Sequence, residues 1–80
     1  MKTIRINQRT NNLVGDNIKK LRKKRKLRNA DVVAKLQLHG LDITTSTYCK
    51  VENGANNPSV DMLIALTDIL HCDFNAFFKQ

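Results

Sequence analysis

Eighty residues with a net charge of +7 and a sequence pI near 9.9 make one small domain, too short for a deep catalytic cleft beside its own core. Seven of the fourteen basic residues fall in the run Lys19-Lys20-Leu21-Arg22-Lys23-Lys24-Arg25-Lys26, and the remainder balance the seven acids, so the excess charge is local. A localised basic stripe favours polyanionic partners, with a plain solvated helix face as the bland alternative.

Little in the composition supports other chemistry. Cys49 and Cys72, taken with His39 and His71, match no usual zinc spacing, and three glycines make no phosphate-binding loop. With no Ser/His/Asp or Cys/His constellation either, no metal, no cofactor and no enzymatic activity are expected. No stretch approaches the roughly 20 apolar residues of a membrane span, and no signal peptide is recognised, so a reduced, cytoplasmic protein is expected.

The elements follow in chain order. Residues 1–11 alternate Ile4 and Ile6 with Arg5 and Asn7 and read as an N-terminal arm, with 12–80 as the folded domain. Asn12 is a plausible N-cap for a first helix in which Val14, Ile18 and Leu21 point inward and the lysines outward, ending near Arg25. A second helix follows Leu27 with Val32, Val33 and Leu36 inward, although Arg28 and Asn29 stand where Ser or Thr usually caps. Leu38-His39-Gly40-Leu41-Asp42 reads as an extended turn.

A third helix begins near Thr44, whose hydroxyl can cap free amides. Tyr48 and Val51, three apart, face inward and leave Thr45, Ser46, Cys49 and Lys50 outward. Asn53-Gly54 stops it. Ser59 caps a fourth helix with Val60, Leu63, Thr67 and Leu70 on one face, and Asp73 caps a final turn with Phe74, Phe77 and Phe78. Met62, Ile64, Leu66 and Ile69 give the fourth helix a second apolar face, which suggests a partner. Cys72 reads as a small packing residue. The class is all-α, a compact bundle of about five short helices.

Ile18-x-x-Leu21-Arg22, then Val33 and Leu36, then Ser46-Thr47-Tyr48-Cys49-Lys50-Val51-Glu52-Asn53-Gly54 and Pro58-Ser59 together resemble the helix-turn-helix domain of the phage-repressor, Cro and XRE family. The resemblance runs in order over residues 13–78. The chain departs from the family at Lys26, where a glycine is usual before the second helix, and at Arg28-Asn29, where Ser/Thr-Gln is usual. Its connection through Gln37 to Asp42 is also longer than the compact form.

The resemblance implies that the third helix lies in the major groove of double-stranded DNA. Thr45, Ser46, Cys49 and Lys50 would then read base edges, Lys50 being the best single candidate for specificity. It places Asn29, Thr47, Asn53, Asn56 and Asn57 on phosphates, with Asn53 and Asn57 equally readable as turn formers. The basic run, through Lys20 and Lys23, supplies phosphate attraction. Arg22 and Glu52 resemble the family's ion pair between the first and third helices. A homodimer through the last two helices, using Met62, Ile64, Leu66, Ile69, Phe77 and Phe78, is the natural assembly for reading paired half-sites.

The reading is a sequence-specific transcriptional regulator, a repressor by preference. Its alternatives are the antitoxin of a toxin–antitoxin pair, which would give its spare apolar face to a toxin protein, and a protein-interaction module that no longer reads DNA.

Overall fold

The computed structural model describes residues 12–80. The expected arm, 1–11, lies outside the described residues. Four α-helices and a 3-10 helix follow in order: α1 Leu13–Lys24, α2 Asn29–Leu38, α3 Thr45–Glu52, α4 Val60–Leu70 and the 3-10 helix Phe74–Phe78. Among the described residues the fold is all-α, as their hydrophobic periodicity predicts.

Short-range capping sets several boundaries. Thr44 Oγ1 accepts from the Thr47 amide at 3.1 Å, Ser59 Oγ from the Met62 amide at 3.1 Å, and Asp73 Oδ1 from the Ala76 amide at 3.0 Å. Each fills an amide that its helix leaves orphaned. At α2 the work passes to the third residue of the helix. The Asp31 carboxylate accepts from the Arg28 amide at 2.8 Å and from its guanidinium, and these bonds hold the Asp31 carboxyl below its ordinary range. The missing Ser or Thr is thus replaced by half a capping box.

The core joins Val14 and Ile18 of α1, Val32, Val33 and Leu36 of α2, Tyr48 and Val51 of α3, six apolar residues of α4 including Leu63, and Phe77. Here the structure corrects the expected partner surface. Met62, Leu66, Ile69 and Phe77 are buried in the chain's own core, leaving Ile64 at 56% and Phe78 at 37% exposure from the six residues expected at a dimer interface. The reason is placement. α4 packs against both α2 and the 3-10 helix, so it is apolar over more than one stripe without needing a second molecule. Phe74 stands edge-on to Phe77 at 6.0 Å and tilted against Phe78 at 5.6 Å.

Candidate nucleic-acid interface

α3 is eight residues long and is held by one side. Tyr48, Val51 and Glu52 are buried, and at about 100° per residue Ser46 and Lys50 fall nearly opposite that stripe. Thr45 is exposed on the first turn. The two flanks differ. Thr47 borders a cleft shared with Leu41, Ile43, Asn56 and Asn57, and its hydroxyl is 3.0 Å from that of Thr44. Cys49 borders a depression shared with Lys19 and Lys23 of α1, Asn29 of α2 and Asn53.

Two expected site residues behave differently from the sequence reading. Cys49 is half-buried, and its Sγ accepts from Asn29 Nδ2 at 2.9 Å. Asn29 is correspondingly turned inward to α3 rather than outward, and its Oδ1 is buried without a hydrogen-bond partner. Among the asparagines after α3, Asn53 Oδ1 accepts from the Ala55 amide at 3.0 Å, the local bond of a turn former, and the Asn56 amide donates to the Lys50 carbonyl at 3.1 Å.

The buried side of α3 is polar at its centre. Arg22 Nε donates to Glu52 Oε2 at 2.7 Å and Nη2 to Oε1 at 3.1 Å, a bidentate pair with both residues at 9% exposure or less. Arg22 Nη1 also donates to the Leu27 carbonyl at 2.9 Å, so one guanidinium ties α1, α3 and the entry to α2 together. The Tyr48 hydroxyl donates to Glu52 Oε2. Its hydrogen bond to Glu52 raises the Arg22 guanidinium above its ordinary value, and burial, then Glu52, raises the Tyr48 phenol. Neither group changes charge near neutral pH, so the trio is a fixed bolt.

A helix-turn-helix family model matches residues 18–77, from Ile18 of α1 to the buried Phe77. The chain belongs to the XRE, lambda-repressor-like helix-turn-helix family. No curated protein sequence matches it. The domain is a DNA-binding regulatory module of the helix-turn-helix type. No helix among the described residues is long and apolar enough to cross a membrane.

With the helix-turn-helix in place, the basic run divides by helix phase. The buried stripe of α1 is Val14, Gly15, Ile18 and Arg22, and Lys20 falls opposite it. Lys19 and Lys23 lie on the flank that borders the Cys49 depression. Arg25 is used internally: its Nε donates to the Leu70 carbonyl at 3.0 Å, closing the C-terminus of α4. Of the two lysines named from sequence, Lys23 therefore stands beside α3 and Lys20 faces away from the domain's core. Lys19 was missed, although the spacing of Val14, Ile18 and Arg22 already sets the phase that separates them.

Gly15 was also under-read. A Cβ on Gly15 would lie 2.5 Å from the Val51 carbonyl oxygen and 2.6 Å from that of Glu52, so α1 and the end of α3 meet backbone to backbone. A glycine inside a helix, on its buried stripe, is the signal that could have shown this. Gly54 adopts φ 86 immediately after the Asn53 C-cap, the left-handed stop expected of an Asn-Gly pair.

Proposed function

We propose that this chain is a sequence-specific transcriptional repressor that occupies its operator as a homodimer, with α3 in the major groove. The observation that carries the reading is the two-sided build of α3. A buried ion pair and a tyrosine fix one side, while Ser46 and Lys50 stand exposed opposite it and Thr45 is exposed on the first turn. Short hydroxyls permit close approach to base edges, and Lys50 reaches guanine O6 or N7. Lys19 and Lys23, on the flank beside α3, would hold phosphates, with Thr47, Asn53, Asn56 and Asn57 fixing register around the two ends of the helix. Cys49 would lend a small apolar contact from the edge of the reading face, and Asn29 would act through Cys49.

The dimer surface left by burial is Ile64 and the exposed Phe74–Phe78 ring pair.

Selection of bound sequences from random duplex DNA at stated salt tests the repressor reading. It predicts a recovered motif with two related half-sites and a large preference for it over random duplex. Lys50→Ala should relax the preference at one base pair by roughly 1–3 kcal/mol. Recovery of no motif, with uniformly salt-sensitive binding, would leave an interaction module; co-purification with a second protein would favour the antitoxin.

A further inference from the structure

Asn12 occupies the N-cap of α1, where an asparagine ordinarily turns its oxygen onto the free amides of its own helix. It makes no such bond. Its amide nitrogen instead donates to the Glu52 carbonyl, at the last residue of α3, at 2.9 Å, and to Asp16 Oδ1 at 3.1 Å. Its oxygen is buried without a hydrogen-bond partner. That oxygen fills the space left by two glycines, lying 2.5 Å from where a Cβ on Gly15 would stand and 2.7 Å from one on Gly54.

Residues 12, 15 and 54 are therefore mutually conditioned. A side chain on either glycine would displace Asn12, and Asn12 forgoes capping α1 in order to hold the end of α3. Arg22 grips the carboxylate of the same Glu52 from further along α1. Two grips on one residue, from points ten residues or about 15 Å apart along α1, fix an orientation as well as a distance. α1 carries Lys19 and Lys23 while α3 carries Ser46 and Lys50, and both sets must meet one duplex of fixed groove geometry.

We propose that Asn12, seated between Gly15 and Gly54, is a positioning residue that sets the stance of the α3 reading face relative to the phosphate-gripping lysines of α1. The proposal rests on the reading of α3 as the DNA-reading element. It assigns to Asn12 no contact with DNA. Its effect is on the match between two contact sets, so it governs discrimination among sequences more than attraction to DNA in general.

The test compares the full chain with Asn12→Ser and Asn12→Ala, using the duplex recovered by selection and a random duplex of equal length. Serine is favoured at helix starts but is too short to reach the Glu52 carbonyl, so it removes the link while leaving a residue compatible with the start of α1. Asn12→Ser is expected to hold its thermal midpoint and to lose about tenfold in the ratio of specific to random affinity, comparable to one mismatched base pair. The slope of log affinity against log salt should stay unchanged, because Lys19 and Lys23 are intact. Asn12→Ala should lose the same ratio and also some stability. If the parent discriminates and Asn12→Ser discriminates equally well, the positioning role is overturned and the DNA reading stands. If the parent itself shows no preference among duplexes, the DNA reading falls and this proposal falls with it.

Discussion

Two helix contacts in this small domain are made by different chemistry. α1 meets α3 through polar groups and backbone: the Arg22–Glu52 pair, the Tyr48 hydroxyl, the Asn12 amide and the bare Cα of Gly15. α4 meets α2 and the 3-10 helix through Leu63, Leu66, Leu70 and Phe77, with a His39–Asp68 contact at the rim. Polar contacts are directional and demand particular partners, whereas apolar ones ask mainly for volume. α3, the helix proposed to read DNA, is thus held by the side of the fold that tolerates least change.

The largest expected effect is at that bolt. Glu52→Ala leaves the Arg22 guanidinium buried without its carboxylate and should destabilise the domain by about 3–5 kcal/mol, measured by denaturant unfolding. Leu66→Met, a volume-conserving change at an equally buried site of α4, should cost under about 1.5 kcal/mol. Similar costs for the two would erase the contrast. Gly15→Ala comes next: its Cβ meets backbone oxygens that cannot rotate aside, and a loss of about 1–3 kcal/mol is expected where a solvent-facing helical glycine would gain from the same change.

A gain is expected at Lys26, which sits at φ 59 between α1 and α2, where the family usually has glycine. The left-handed conformation costs a side-chain-bearing residue roughly 1–2 kcal/mol, and the added freedom of glycine in the unfolded chain offsets part of that. Lys26→Gly should stabilise the domain by about 0.5–1 kcal/mol, a rise of a few degrees in Tm. An unchanged or lower Tm would show that the strain is relieved elsewhere.

The smallest effect lies at the rim of the apolar contact. The hydrogen bond from His39 to the Lys35 carbonyl, and then its bond to Asp68, raise the His39 pKa above its ordinary 6.5. A raised folded value means that this stabilisation is present in full below the unfolded pKa and fades as pH rises through the folded one. Stability measured from pH 6 upward should therefore decline slightly in the parent and stay flatter in His39→Ala. Equal slopes would remove the link between α2 and α4.

What could be read from sequence divides along the same line. The caps at Thr44, Ser59 and Asp73 were legible because each bonds an amide three residues on, and the inward Val32, Val33, Leu36, Tyr48 and Val51 follow from helical spacing alone. Arg22 and Glu52, thirty residues apart, were legible only through family resemblance. Tyr48 was placed inward with no hint of its bond to Glu52. The second apolar face of α4 was misassigned because periodicity reports that a face is apolar and is silent on whether the same chain covers it. Asn12 read as an ordinary cap, since no local pattern shows an amide reaching across forty residues.

The most direct test is an amide-resolved titration of the full chain with its selected duplex. The outward face of α3 and the Lys19–Lys23 flank of α1 should act as one surface, so the resonances of Thr45, Ser46 and Lys50 should move together with those of Lys19 and Lys23, while those of His39, Asp68 and the α4 core stay in place. Movement centred on α4 and the 3-10 helix, with α3 still, would contradict it.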